Sequence, residues 1–151
     1  MNEHELEMVM IIGKPGTDIP LEKALEHVAG YCMGLDMTVR GPEDRSFRKS
    51  LDGYSPIGPW MVTADEIADP DDLAIELTVN GVTRQKSSTK NLIYNCAKLI
   101  EFASSYYTLH PGDIFFTGTP AGVGPVVPGD WISASCPQLG ELHVEVKAHR
   151  I

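Results

Sequence analysis

Short apolar runs separated by turn residues follow one another along most of the chain, and this pattern predicts β-strands. Residues 5–14 alternate polar and apolar side chains and then become wholly apolar, as a half-buried strand does. Asn80-Gly81 lies between strands predicted at 73–79 and 82–86, and this dipeptide is the typical connection of a β-hairpin. Further extended segments are predicted at 31–40, 59–63, 114–117, 131–136 and 142–147.

Helical periodicity is strong in one segment only. Residues 89–107 are predicted to form one long helix whose apolar stripe consists of Leu92, Ile93, Cys96, Leu99, Ile100 and Ala103. A shorter helix is predicted over 20–29, with Pro20 in its first turn, and a helical turn over 44–50. The sequence therefore predicts a mainly β fold with one long helix.

The size and composition of the chain fit one globular domain over residues 1–151. The 151 residues are 42% hydrophobic and 22% charged, which excludes a disordered tail. No apolar run is long enough to cross a bilayer, and the acidic start MNEHELE lacks the basic region of a signal peptide. We therefore expect a cytoplasmic protein without a membrane partner.

Charge and cysteine spacing exclude two further classes of protein. Twelve Lys and Arg against 21 Asp and Glu give a net charge of −9, which disfavours nucleic-acid binding. The three cysteines lie far apart without a CxxC pair, which disfavours a disulfide framework or a zinc–thiolate site. Buried, reduced thiols are expected instead.

Two carboxylates near the start are candidate metal ligands. Side chains at positions i and i+2 of a strand leave the same face, so Glu5 and Glu7 lie side by side. Adjacent carboxylates repel each other unless a proton or a cation compensates, and a hard divalent ion such as Mg²⁺ prefers oxygen ligands. The alternative is a solvated strand face.

Asp36 is the third candidate ligand, because it lies in the apolar segment Tyr31–Met37, where an uncompensated carboxylate is costly. Together with Glu5 and Glu7 it would make a facial set of ligands on one ion. The alternative is an aspartate bonded to backbone amides or paired with Arg40.

Three further features are candidates for substrate contacts. The glycine-rich segment 118–124 follows an apolar strand, so its amides and the Thr119 hydroxyl can face an anion, although a structural turn explains the composition equally well. Lys49 is a candidate cation for a substrate carboxylate, or a surface lysine. Among the histidines, which form no metal-type motif, His4 is placed to support the carboxylate pair.

The order of these motifs across nearly the whole chain resembles the fumarylacetoacetate hydrolase family, most closely its acylpyruvate hydrolases and 2-hydroxyhepta-2,4-diene-1,7-dioate isomerases. The motifs that carry the resemblance are Glu5-Leu6-Glu7, Gly34-Leu35-Asp36-Met37-Thr38-Val39-Arg40, Lys49-Ser50, Gly58-Pro59-Trp60, Val79-Asn80-Gly81, Leu109-His110-Pro111-Gly112-Asp113 and Thr117-Gly118-Thr119-Pro120-Ala121-Gly122-Val123-Gly124.

The resemblance implies a mixed β-sandwich roll of the family's C-terminal domain type. It also implies Mg²⁺ or Mn²⁺, with Ca²⁺ a third candidate, bound by Glu5, Glu7 and Asp36. Lys49, Gly118 and Thr119 would then bind substrate, with Lys49, Arg40 and Thr119 at the catalytic centre. A homodimer or higher homo-oligomer is expected.

Two departures from the family pattern bear on this expectation. The family usually continues Arg-Asp-x-Gln after the aspartate, whereas this chain has Arg40-Gly41-Pro42-Glu43, so a substrate-contacting amide is replaced by a carboxylate. The family also carries upstream sequence with a lid whose His-Glu pair activates water. Since the Glu-x-Glu strand begins at residue 5, we expect a chain truncated relative to the family and without this lid.

The function implied is a divalent-metal-dependent hydrolase, isomerase or decarboxylase of 2-oxo acids of the acylpyruvate type, acting in aromatic-compound or 2-oxo acid catabolism. The metal would stabilise the enolate formed when a C–C bond breaks or a proton moves. Because hydrolysis needs a water and a base, a missing lid favours isomerisation or decarboxylation. The alternative is a metal-binding but catalytically silent homologue or partner subunit.

Overall fold

The computed structural model describes residues 1–148, which form eleven strands, two α-helices and three short 3-10 helices. The end of the predicted 1–151 domain, residues 149–151, lies outside the described residues. The strands are β1 (Asn2–His4), β2 (Leu6–Ile12), β3 (Val28–Leu35), β4 (Thr38–Val39), β5 (Ile57–Thr63), β6 (Ala74–Val79), β7 (Val82–Ser88), β8 (Ile114–Phe116), β9 (Gly124–Val126), β10 (Trp131–Cys136) and β11 (Gly140–Glu145). The helices are α1 (Arg45–Lys49) and α2 (Cys96–Ser104), with 3-10 helices at Leu21–His27, Ala64–Glu66 and Thr89–Asn91.

The strands form three sheets. Two have four strands each, in the orders β5-β3-β2-β8 and β11-β10-β6-β7, and the third has the order β4-β1-β9. Every strand pairing within residues 1–148 is antiparallel. The mainly β fold is therefore confirmed, whereas the mixed sheet that the resemblance implies is wrong for this part of the chain.

The hydrophobic core joins the two four-stranded sheets. β3 contacts β10 and β11, β5 contacts β11, and β2 contacts β6. Leu6, Met8 and Met10 alternate along β2 and contribute to this core, so the intervening Glu7 and Val9 point to the opposite face of the strand. Because that face is also buried, β2 is a central strand whose side chains are enclosed on both sides.

A bend in one two-stranded ribbon brings two of the predicted metal ligands, Glu5 and Asp36, next to each other. β2 and β3 pair in a four-stranded sheet, and the same two chain segments continue as β1 and β4, which pair in the small sheet. Glu5 and Asp36 lie where the ribbon passes from one sheet to the other, and the Asp36 amide donates to the Glu5 carbonyl over 2.9 Å. The two side chains are therefore neighbours because their backbones are hydrogen bonded.

The long helix predicted over 89–107 is wrong in its length. Only Cys96–Ser104 is α-helical, and the chain before it is a 3-10 turn that ends at Leu92 in an extended conformation (ψ 137°). Asn95 then starts α2 by accepting a hydrogen bond from the Lys98 amide at 2.9 Å. Ile93 does not join an apolar stripe, since 95% of its surface is exposed.

The other predicted helices are shorter and tighter than the sequence indicates. Residues 21–27 form a 3-10 helix instead of an α-helix, and the predicted turn at 44–50 is the five-residue α1. The hairpin at Asn80-Gly81 is confirmed, since β6 and β7 pair directly on either side of it. Strand β9, which begins at the last residue of the glycine-rich segment 118–124, is not predicted from the sequence.

The cysteines and the helices agree with two further expectations. Cys32, Cys96 and Cys136 are buried and free, as predicted. Within residues 1–148, every helix is too short or too polar to cross a bilayer.

Candidate metal centre

The three carboxylates predicted to bind a metal come together in the structure. One oxygen atom from each of Glu5, Glu7 and Asp36 lies within 4.8 Å of the other two. Glu7 is buried, with 3% of its surface exposed, and the other two side chains are partly buried. A solvated strand face, the alternative for Glu5 and Glu7, is therefore wrong.

This donor set has the chemistry that a hard divalent ion requires. All three donors are carboxylate oxygens, the ligands that Mg²⁺ and Mn²⁺ prefer. Two oxygens bound to one Mg²⁺ at about 2.1 Å can be at most about 4.2 Å apart. The three oxygens lie within 4.8 Å of one another, so the side chains would have to draw closer together to bind one ion.

Glu7 is the most strongly perturbed of the three carboxylates. Burial raises the pKa of Glu7 from 4.5 to about 7, and the nearby negative charges of Asp36 and Glu5 add to that effect. The Gly118 amide donates to Glu7 Oε2 over 2.6 Å, which opposes the increase, as does the charge of Lys49. Glu7 is thus a carboxylate that needs a positive charge beside it to be ionised at low cost.

Lys49 supplies a positive charge to the other two carboxylates. Its Nζ donates to Glu5 Oε2 at 2.8 Å and to Asp36 Oδ2. These bonds connect α1, which carries Lys49, to both strands of the ribbon. Partial burial works to lower the pKa of Lys49, but the bonds and charges of Asp36 and Glu5 outweigh burial and raise it. The ammonium is therefore part of the carboxylate cluster itself.

Arg40 lies at the edge of the cluster. It forms an ion pair with Glu3, and its Nη2 is 3.6 Å from Glu5 Oε1. Thr38 donates its hydroxyl to the same Glu5 oxygen over 3.2 Å. Asp36 pairs with Lys49 and not with Arg40, so the Asp36–Arg40 ion pair considered from the sequence is wrong.

The segment 117–121 forms the neighbouring wall of the site. It follows β8, and the hydroxyl of Thr117 holds it against β2 by donating to the Met8 carbonyl at 2.8 Å. This contact places the Gly118 amide on Glu7 and turns Thr119 toward β7. Gly122 (φ +102°) passes so close to β7 that an added Cβ would lie 2.1 Å from the Arg84 carbonyl oxygen. The glycine therefore permits the close approach.

A cavity of about 460 Å³ lies against this segment. Gly118 and Thr119 line one of its walls, and Met8, Leu92 and Tyr94 line others. Met8 points away from the face of β2 that carries Glu7. Gly118 therefore borders both the carboxylate cluster, through its amide on Glu7, and the cavity.

Gln85 is a site residue that sequence reasoning missed. It is buried in β7 with 1% of its surface exposed, opposite the core residue Leu77. Its side chain contacts His4, the backbone of Leu6, and Thr119. His4 thus turns to Gln85 instead of to the carboxylates, and burial lowers its pKa. No local pattern distinguishes Gln85 within the polar strand VTRQKSS.

Fold and site together define an antiparallel β domain with a carboxylate centre suited to a divalent ion. The family model described as fumarylacetoacetate (FAA) hydrolase C-terminal matches residues 1–147. The chain is a member of the fumarylacetoacetate hydrolase family.

Individual relatives agree with this assignment. Maleylpyruvate hydrolase of Aquipseudomonas alcaligenes is 54% identical over 147 residues, covering 97% of this chain and 51% of the relative. The structure of maleylpyruvate hydrolase from Sphingobium sp. SYK-6 with manganese(II) and pyruvate superposes with a TM-score of 0.93 at 46% identity, covering 97% of this chain and 54% of that one.

A second solved structure, fumarylpyruvate hydrolase from Pseudomonas aeruginosa with Mn²⁺ and pyruvate, has a TM-score of 0.93 and 41% identity, and the match covers 98% of this chain and 66% of that one. The chain spans about half the length of the maleylpyruvate hydrolases that it matches.

Proposed function

We propose that this chain provides the metal- and pyruvate-binding part of a divalent-metal-dependent acylpyruvate hydrolase, which cleaves a C–C bond of a 2-oxo acid. The observation that carries the proposal is the cluster of Glu5, Glu7 and Asp36 beside Gly118 and Thr119. Its support from relatives is the presence of manganese and pyruvate in the maleylpyruvate and fumarylpyruvate hydrolase structures.

The three carboxylates would hold Mg²⁺ or Mn²⁺, with Ca²⁺ a weaker candidate because it prefers more oxygen ligands. When bound, the ion supplies a Lewis acid that draws electron density from the 2-oxo group as the C–C bond breaks. Lys49 offsets part of the cluster's negative charge and so lowers the electrostatic barrier to an anionic substrate.

Substrate orientation is assigned to Thr119 and, at the edge of the site, to Arg40. The Thr119 hydroxyl would donate to the substrate carboxylate. Arg40 has 45% of its side chain exposed and would attract the incoming anion while it remains paired with Glu3. Hydrolysis also requires a base for water, and the family resemblance assigns that role to a His-Glu pair upstream of the Glu5 strand.

Domain organisation and assembly are part of the same proposal. We assign residues 1–151 to one catalytic domain of the β-sandwich roll type, which forms a homodimer. Support for the dimer comes from exposed apolar side chains around α2, such as Ile93, Phe102 and Tyr106, which are 95%, 56% and 72% exposed. Light scattering coupled to size-exclusion chromatography tests this, and a monomer at micromolar concentration would contradict it.

Metal binding, pyruvate binding and turnover test the function together. The purified chain is titrated with Mn²⁺ and Mg²⁺, then with pyruvate, and is assayed for cleavage of maleylpyruvate and fumarylpyruvate. The double variant Glu5→Ala/Glu7→Ala is expected to lose metal binding, pyruvate binding and any turnover that the unaltered chain shows. Glu22→Ala/Glu26→Ala, which removes two exposed carboxylates from the 3-10 helix at Leu21–His27, is the matched control.

Each negative result has a distinct meaning. Metal-dependent thermal stabilisation without pyruvate binding or turnover would favour the catalytically silent alternative. A melting temperature unchanged by every divalent ion would show that the carboxylates bind no metal.

A further inference from the structure

Gln85 connects two parts of the candidate site through one buried carboxamide. Its Oε1 accepts from the Leu6 amide at 2.9 Å and lies 3.0 Å from His4 Nδ1. Its Nε2 donates to Thr119 Oγ1 at 2.8 Å and to the Pro120 carbonyl at 2.9 Å. Both ends of the amide are therefore fully used, one by the segment that carries Glu5 and Glu7 and the other by the segment that carries Thr119.

The partners of Gln85 fix the orientation of its amide. The Leu6 N–H can only donate, so the Gln85 oxygen must face it, and the Pro120 carbonyl can only accept, so the NH₂ group must face that side. A flipped amide would place donor against donor and acceptor against acceptor at a site with no exposed surface to relieve them. The orientation is thus imposed by backbone groups on both sides.

This orientation determines what the Thr119 hydroxyl can do. Because Thr119 Oγ1 accepts from Gln85, its own proton is directed away from Gln85 and is available to an acceptor. A substrate carboxylate is such an acceptor. We propose, on the basis of the function proposed above, that Gln85 is a positioning residue that presents the Thr119 proton to the carboxylate of the 2-oxo acid.

Gln85→Glu tests the proposal with almost no change in shape. The new carboxylate still accepts from the Leu6 amide, but in its ionised form it replaces the NH₂ group with an oxygen, which faces the Pro120 carbonyl and to which Thr119 would donate its proton. The hydroxyl is then withdrawn from the substrate. Affinity for pyruvate, measured by calorimetry on the Mn²⁺-loaded protein, is expected to fall about tenfold or more, because a hydrogen bond to a charged group is lost.

A double-mutant cycle with Thr119→Val separates positioning from a general structural effect. Thr119→Val alone is expected to lower pyruvate affinity by a similar factor while Mn²⁺ affinity stays unchanged. If Gln85 acts through Thr119, the double variant Gln85→Glu/Thr119→Val binds pyruvate no more weakly than Thr119→Val. Losses that multiply would overturn the proposal, because Gln85 would then act independently of the hydroxyl.

Two further variants control for folding and for added charge. Gln85→Met removes the polar atoms without adding a negative charge, and the same non-additivity with Thr119→Val is expected. Ser104→Ala removes a buried hydroxyl that binds the Ile19 amide at 2.9 Å, outside the candidate site, and should leave pyruvate affinity unchanged. If the unaltered chain binds Mn²⁺ but no pyruvate, the proposed function fails and the role of Gln85 fails with it. If the losses of pyruvate affinity multiply in the double-mutant cycle, only the role of Gln85 is refuted.

Discussion

Replacing Glu7 by glutamine should stabilise the metal-free protein at alkaline pH while abolishing its response to metal. The carboxylate is buried beside two other carboxylates, and its one hydrogen bond from residues 1–148 comes from the Gly118 amide. Glutamine keeps an oxygen for that amide and carries no charge. Its NH₂ group can also donate to the neighbouring Asp36 or Glu5.

The pKa of Glu7 gives the size of the effect. The increase from 4.5 to about 7, at about 1.36 kcal/mol per pKa unit, corresponds to roughly 3 kcal/mol. Because the folded state holds the proton more tightly than the unfolded state, this group makes the free energy of unfolding fall as pH rises from about 4.5 to about 7. Above that range the whole cost is present.

Urea unfolding at pH 5 and pH 8, with EDTA or with excess Mn²⁺, measures each part of this prediction. With EDTA at pH 8, Glu7→Gln should be more stable than the wild type by up to about 3 kcal/mol, and at pH 5 the difference should largely disappear. Excess Mn²⁺ should stabilise the wild type, by about 2.7 kcal/mol at 100 times its dissociation constant, and should leave the variant nearly unchanged.

If Glu7→Gln is no more stable than the wild type at pH 8 in EDTA, ionised Glu7 does not destabilise the folded protein. If Mn²⁺ stabilises both proteins equally, Glu7 is not a ligand. Glu22→Gln, at an exposed position, controls for the general effect of removing one negative charge and should change stability little at either pH.

Four other substitutions have defined outcomes. Gly122→Ala should lower the free energy of unfolding by about 3 kcal/mol or more, because the added Cβ would collide with the Arg84 carbonyl. Gly129 has a similar φ (+98°) but open space around it, so Gly129→Ala should lower the free energy of unfolding by only about 1 kcal/mol. Lys49→Met should increase Mn²⁺ affinity several-fold in calorimetry, since it removes a positive charge from the ligands, and should destabilise the metal-free protein. Asn95→Ala should cost about 1 kcal/mol in urea unfolding, because it removes the N-cap of α2.

The contrary results are equally definite. Equal losses for the two glycine variants would mean that backbone conformation, and not the contact with β7, limits position 122. Weaker Mn²⁺ binding by Lys49→Met would show that the lysine holds the ligands in place more than it competes with the ion. An unchanged Asn95→Ala would mean that other groups satisfy the first turn of α2.

Elements whose signals are local could be predicted from the sequence. The β6–β7 hairpin follows from the conformational preference of Asn80-Gly81, and β10 begins and ends at the predicted residues because a turn precedes it and its pattern alternates. The long helix could not be predicted correctly, since the apolar residues 92 and 93 continue the periodicity of α2 although Asn95 starts a new helix. Ile93 then points to solvent, which no periodicity reveals.

In the candidate site too, some residues could be predicted from local sequence patterns and others could not. Glu5 and Glu7 share a face because of strand geometry alone, so their proximity could be predicted. The apolar surroundings of Asp36 mark it as a candidate ligand, but the bend of the β1–β2 and β3–β4 ribbon that brings it to the other two is seen only in the structure. Gln85 became visible only with the tertiary structure, because its partners lie more than 30 residues away in both directions along the chain.

The burial of all three thiols has a practical consequence for experiments on this protein. A thiol-reactive dye can modify Cys32, Cys96 or Cys136 only when the surrounding structure opens. The three positions lie in β3, at the start of α2 and at the end of β10, so each reports the opening of a different neighbourhood. Labelling rates resolved by mass spectrometry would therefore show which parts of the fold loosen first, without any engineered probe.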